Sequence, residues 1–244
     1  MPSTNHTLVP AYFMSIKSKA RSLRNQINRV FAGEAGRRHA AVGPAHLWEM
    51  KRQFQIDFLK QNGLETQHHL IDIGCGTLRG GIPLIKLLEK NHYTGIEVRE
   101  DVLELGRDEL REASLEKKKP NLVHCQGLSS LELETKADFI WAFAVLIHMD
   151  DDALNGCLSF VSQHLAPTGS FFGNVNIGEE DNGNWQGFPV VHRPMAWYVQ
   201  TAERFGLVPT DVGSLLELGH DDGRPEPQSR RMLKFTHIDT DRGE

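Results

Sequence analysis

The sequence predicts an α/β fold. It expects a doubly wound, mostly parallel sheet of seven strands that closes on an antiparallel pair, with a helical extension in front. Three observations predict it. Short apolar runs alternate with helix-period segments from residue 46 onward. A Gly-rich turn follows the first run, at a strand-to-helix junction. The last two runs flank a polar loop, HDDGRPEPQS, as antiparallel neighbours do. The 244 residues suffice for one such domain with a large core. The chain therefore divides into an extension at 1–45 and a domain at 46–244.

Residues 1–10 read as a loose terminus that ends at Pro10. An amphipathic helix is expected at 11–32, where Phe13, Ile16, Ala20, Leu23, Ile27 and Val30 form one stripe among five Lys/Arg residues. Gly and Pro make 33–44 a linker. The domain opens with a helix at 46–62, apolar at Leu47, Met50, Phe54, Phe58 and Leu59 and stopped by Gly63. The first strand is expected at 69–73, a helix at 79–90, the second strand at 93–98 and a charged helix at 100–117. Pro120 breaks that pattern before a third strand at 121–125. The unbroken apolar run 138–144 suits a strand buried on both faces. A helix at 151–165, a strand at 170–176 and a helix at 193–205 follow. Strands at 208–218 and 231–238 complete the seven.

Charge is unevenly placed. Residues 1–45 carry seven Lys/Arg against one Glu, a balance of +6, and the remainder carries −11. An acidic body argues against nucleic acid as the partner. The basic helix suits an anionic membrane surface, self-association or packing on the domain itself, and its acid-poor start also resembles an organellar transit peptide. No run approaches the roughly 20 apolar residues that cross a bilayer, and no compact apolar secretory core is seen. Three widely spaced cysteines, Cys75, Cys125 and Cys157, fit a reducing compartment. A cytoplasmic location is expected.

The chemistry is concentrated in residues 70–81, LIDIGCGTLRGG. Gly74 and Gly76 permit a tight turn and let a ligand approach the backbone, and a helix N-terminus beyond them favours polar ligand groups. Asp72, at the strand end, can accept from ligand donors. A carboxylate inside this turn would repel a pyrophosphate, which points away from a dinucleotide. Glu97 closes the second strand, 21 residues after Gly76, where an acid can accept both ribose hydroxyls of an adenosine. A nicotinamide site would prefer G-x-G-x-x-G, and this turn reads G-C-G-T-L-R.

IDIGCG followed by YTGIEV resembles the first two cofactor motifs of class I S-adenosylmethionine-dependent methyltransferases, whose domain is Rossmann-like. ADFIWAFAVLIHM (137–149) resembles the family's fourth strand and the loop after it. HLAPTGSFF (164–172) resembles its L-x-P-G-G turn, and RMLKFT (231–236) its seventh strand. The resemblance spans about residues 46–238 and implies S-adenosylmethionine as cofactor. It implies that Asp72, Gly74, Cys75 and Gly76 line its methionine end, that Glu97 binds the ribose, and that Val98, Leu128 and Phe143 complete the wall. Arg79 would meet the carboxylate, with Arg52 as the other candidate. Two departures stand out. Leu78 occupies the position of a common third glycine, and HCQGLSS lacks the acid that usually meets the adenine amino group, leaving Gln126 or the Leu128 backbone.

Methyl transfer to a hydroxyl needs a base, and a neutral histidine is the usual one. His148, after the fourth strand, is the first candidate, against a reading as a loop cap. His192 is the second, in GFPVVHRPMAWY. Trp185 and Tyr198 are expected around it in an acceptor pocket. Asn174 and Asn176 end the fifth strand and either contact substrate or cap the loop. Asp150, Asp151 and Asp152 read as a helix start, and no metal site is expected. The predicted activity is methylation of a small-molecule or glycan-like acceptor, on oxygen ahead of nitrogen. The alternative is a catalytically silent cofactor-binding module that scaffolds a partner.

Overall fold

In a computed structural model of the chain, the described residues are 38, 41–178, 183–185, 187–223 and 229–238. The expected helix at 11–32, and with it the membrane and self-association readings, lies outside them, as does most of the linker.

A 3-10 turn at Ala45–Leu47 leads into α1 (Trp48–Gln61), which buries Phe54, Phe58 and Leu59. Gly63 takes a φ of 93°, a left-handed value that stops the helix without a Cβ penalty. Four parallel strands follow with their helices: β1 (Leu70–Ile73), α2 (Gly81–Leu87), β2 (Tyr93–Glu97), α3 (Glu100–Glu112), β3 (Asn121–His124) and β4 (Ala137–Ala142). Next come α4 (Asp151–His164), β5 (Leu165–Asn176), a hairpin of β6 (Gly183–Trp185) and β7 (Phe188–Val190), α5 (Met195–Glu203), β8 (Leu207–Ser214) and β9 (Arg230–His237). The main sheet has the order β3-β2-β1-β4-β5-β9-β8. β9 runs antiparallel to β8, as the polar loop between the last two runs implied, and also antiparallel to β5.

Side-chain alternation along the strands builds two cores, one on each face. Leu70, Phe139, Trp141, Phe172 and Met232 pack on the first face with α1 and α2. Ile71, Ile73, Ile140, Ala142, Phe171 and Leu233 pack on the second with α4 and α5. Each such fully buried side chain contributes about 1.5–3 kcal/mol, which is why a one-residue register slip is excluded. Strand order reverses between β1 and β4. The crevice at their carboxyl ends is therefore where an open α/β sheet receives its ligand.

The differences from expectation are local. β5 begins at Leu165 rather than 170, because the Pro-Thr-Gly segment is drawn into the ladder across an irregularity opposite Ala137 and Phe139. β8 ends at Ser214, where the Ser214 amide and hydroxyl bind Glu217 Oε2 and the Glu217 amide returns to Ser214 Oγ, turning 215–219 out of the strand. The β6–β7 hairpin was not expected, since three-residue strands are too short to show a period.

Candidate active site

The turn after β1 is fixed to β2: Gly74 N and Cys75 N both donate to Ile96 O, at 2.7 and 3.1 Å. Gly74 and Gly76 take φ values of 71° and 58°. A Cβ on Gly74 would stand 2.4 Å from Val145 Cγ2, and one on Gly76 2.8 Å from Val42 Cγ1. Only glycine permits both the left-handed backbone and these approaches. Leu78 also takes a left-handed φ, 58°, yet is fully buried against Gly81 and Gly106. The departure from a third glycine thus supplies core packing. α2 starts only at Gly81, so the turn is longer than expected.

A cavity of about 850 Å3 opens over the carboxyl ends of β1 and β4. Its first half contains a cation, a glycine cradle, a carboxylate and an apolar slot. Arg79 lies 5.7 Å over Trp48 and donates to Val42 O at 3.1 Å; burial lowers its pKa to about 10, so it remains charged at neutral pH. Glu97 is buried, with Oε2 accepting from Gly76 N and Oε1 from Arg99 N, each at 3.0 Å. Val98 and the 125–129 segment, with Leu128, line the slot beyond it. These are the kinds of group that S-adenosylmethionine would need: a cation for its carboxylate, bare backbone at its centre, an acceptor for its ribose hydroxyls, and the Val98 and Leu128 walls for its base. Phe143 lines the same cavity, whereas Arg52 instead binds Arg79 O from α1.

The second half is built by β4, β5, the β6–β7 hairpin and the β8–β9 connection. His148 Nδ1 lies 2.8 Å from Pro189 O, and its ring stacks on Trp185 at 5.2 Å. Burial is the main influence that lowers its pKa, so the ring is neutral near pH 7. A carbonyl can only accept, so Nδ1 carries the hydrogen and Nε2 keeps the lone pair. His192 lines the cavity on the segment that Arg193 ties to α4 through Asp151 and Met149 O. Asp150 caps α4 by accepting from Ala153 N at 2.9 Å. Asn174 and Asn176 line the cavity while also holding loops: Asn174 Oδ1 accepts from Ala144 N at 2.5 Å, and Asn176 Nδ2 donates to Val191 O at 3.3 Å.

Three expected site residues do not line the cavity. Asp72 shares the face of Leu70 by alternation, and its Oδ2 accepts from Tyr93 Oη at 2.7 Å. Burial raises its pKa to about 7. Cys75 turns toward Gly95, whose missing Cβ would lie 2.9 Å from its Sγ. Tyr198, on α5, is 1% exposed and belongs to the second core, because α5 covers the sheet face rather than its edge.

Sequence reasoning missed the far wall, made by Lys51, His220, Asp222, Ser229 and Arg230. His220 is 2% exposed and packs edge-on against Phe54 and Phe143. Neither of its ring nitrogens meets a hydrogen-bond partner among the described residues. The only signal was a polar HDDGR run, which reads as a loop until the fold brings it over β4. Among the described residues no three His, Cys, Asp or Glu side chains are grouped to hold a metal ion, and no helix is long and apolar enough to cross a membrane.

Residues 71–171, from β1 into β5, match the family model described as "Methyltransferase domain". No curated protein matches the sequence. Solved structures share the fold. The glycopeptide N-methyltransferase MtfA complexed with S-adenosylmethionine is 15% identical, with 76% of this chain and 93% of that one covered and a TM-score of 0.58. MtfA has also been solved with sinefungin and with S-adenosylhomocysteine. An S-adenosylmethionine-dependent methyltransferase from Clostridium acetobutylicum is 15% identical over 91% of this chain and 99% of its own, TM-score 0.59. The CcbJ methyltransferase from Streptomyces caelestis is 15% identical over 88% and 96%, TM-score 0.60. The family match runs through the Gly-rich turn and Glu97 on this sheet order, so residues 71–171 are those of a methyltransferase domain, and the chain shares the fold of solved S-adenosylmethionine-dependent methyltransferases.

Proposed function

We propose that this enzyme methylates an oxygen of a small-molecule or glycan-like acceptor, with His148 as general base. The observation that carries the reading is the Nδ1 contact of His148 to Pro189 O, which leaves a neutral Nε2 lone pair in the cavity that also holds Gly74, Gly76 and Glu97. When bound, S-adenosylmethionine would supply an electrophilic methyl on a sulfonium. Arg79 would hold its carboxylate, Glu97 its ribose hydroxyls, and Val98, Leu128 and Phe143 its apolar surfaces. His148 takes the acceptor hydroxyl proton on Nε2 as the oxygen forms its new bond to carbon. Orientation of the acceptor by Trp185, Asn174, Asn176 and His192 supplies much of the rate, on the order of 7–11 kcal/mol for well-placed reactants. The half-enclosed aromatic wall of Trp185 and Phe188 suits a ring-bearing acceptor better than an extended polymer.

The test is transfer of tritiated methyl to a panel of phenols, sugars and amines, with the product located by mass spectrometry. His148→Ala should lower kcat by about 10²–10⁴ with S-adenosylhomocysteine affinity unchanged. The neutral base is the active form and burial lowers its pKa, so the acid limb of the wild-type rate should have its half-point below the ordinary histidine value of about 6.5. An unchanged kcat in His148→Ala removes His148 from the chemistry, and methylated nitrogen alone removes the oxygen reading.

A further inference from the structure

We infer that Arg38 is a positioning residue for the cofactor: its ion pairs to α3 hold residues 41–44 as the outer wall of the cofactor half of the cavity. Arg38 is 5% exposed although it lies in the extension that composition assigned to a linker. Its Nη1 and Nη2 donate to Glu112 Oε1 and Oε2 at 2.7 and 2.6 Å, and Nε lies 3.0 Å from Glu109 Oε1. This is a two-pronged grip on one carboxylate and an ion pair to a second, one turn away on the same helix. The hydrogen bond from Arg38 holds the Glu112 carboxyl below its ordinary range.

Four residues on, at Val42, the chain reaches the cavity. Ala41 O accepts from Arg99 Nη1 at 3.3 Å, and Val42 O accepts from Arg79 Nη1 at 3.1 Å. Val42 Cγ1 sits over Gly76 so closely that a Cβ there would stand 2.8 Å away. Val42, Gly43 and Pro44 all line the cavity. The segment is thus held at three points, and two of the holding cations, Arg79 and Arg99, stand beside the groups that meet the cofactor. Arg38 differs from both. Neither it nor its partners, in the last turn of α3, line the cavity, so it reaches the cofactor only through the backbone it fixes. A wall already in place spares the ligand the cost of ordering it. If loss of the clamp leaves the wall formed about a tenth of the time, the apparent dissociation constant rises about tenfold.

The inference rests on this cavity being the S-adenosylmethionine site. The test uses the full chain and S-adenosylhomocysteine, with affinity by calorimetry and dissociation by stopped-flow tryptophan fluorescence. Arg38→Ala should bind about tenfold more weakly, mainly through faster dissociation, and KM for S-adenosylmethionine should rise with kcat held. Arg38→Glu combined with Glu112→Arg and Glu109→Gln restores the pair with its charges exchanged, leaves no acid facing the new carboxylate, and should return affinity to within about threefold of wild type. Equal affinity and equal dissociation rate in wild type and Arg38→Ala overturn the inference alone, even if the variant melts earlier. Failure of the exchanged pair to rescue also overturns it. A wild-type chain that binds no S-adenosylhomocysteine overturns the cofactor site and this inference together.

Discussion

Replacing His220 by Phe tests how the far wall of the cavity is built. The ring is 2% exposed, its nitrogens find no partner among the described residues, and burial is the largest influence lowering its pKa, to about 4. Lys51 and Arg230 lower it further, while Asp222 pulls the other way. The sign follows from linkage. An unfolded histidine titrates near 6.5, so from that pH downward the unfolded chain takes up a proton that the folded chain refuses, and stability falls until about pH 4. At pH 5 this amounts to about 2 kcal/mol, and about 1 kcal/mol where cavity water screens the ring. Asp72, raised to about 7, acts in the opposite direction, but equally in both proteins. The assay is urea unfolding of wild type and His220→Phe at pH 7.5 and pH 5. The Phe variant keeps the edge-on ring contacts to Phe54 and Phe143, and wild type should lose about 1–2 kcal/mol more than the variant between the two pH values. His220→Gln, which also does not titrate, should follow Phe. Parallel pH dependence in all three proteins would refute a buried neutral histidine at this wall.

Two further outcomes are expected. Leu78→Gly relieves a left-handed φ, a gain of about 1 kcal/mol, but empties a fully buried leucine site, a loss of about 2–5 kcal/mol; urea unfolding should show a net loss of about 1–4 kcal/mol, and a variant as stable as wild type would mean that backbone strain outweighs packing here. Glu97→Gln leaves one of two backbone amides, Gly76 N or Arg99 N, facing a group that cannot accept, and removes the charge offered to the ribose. Calorimetry should show S-adenosylhomocysteine bound about 10- to 100-fold more weakly, and unaltered affinity would take Glu97 out of the cofactor site.

The fold was largely legible because its signals are local and repeated. Alternation of the first three strands with helices, and the unbroken run around Trp141, follow from which faces must be buried. The polar connection before residue 230 implied the antiparallel end. Gly74 and Gly76 were legible for the same reason: a left-handed turn at a strand end leaves few residue types. The hairpin at Gly183–Val190 was hidden by strands of three residues each, and the extra length of β5 by a Pro-Gly segment that reads as a turn until β4 pairs with it.

The site divides differently. Sequence placed Glu97, Gly74, Gly76 and His148 in one crevice, and all four line the cavity, because each sits at a fixed distance from a strand end and strand ends meet at the switch point. It could not determine which face Asp72 takes beneath Tyr93, that Tyr198 serves the core, or that His220 comes back over Phe143. Nor could it show that an arginine in a basic, linker-like stretch is buried between Glu109 and Glu112, 71 and 74 positions away. Those facts depend on pairings between distant segments, and a pattern read along the chain carries no distance across it. Only tertiary packing brings the partners together, and with them the wall of the cavity.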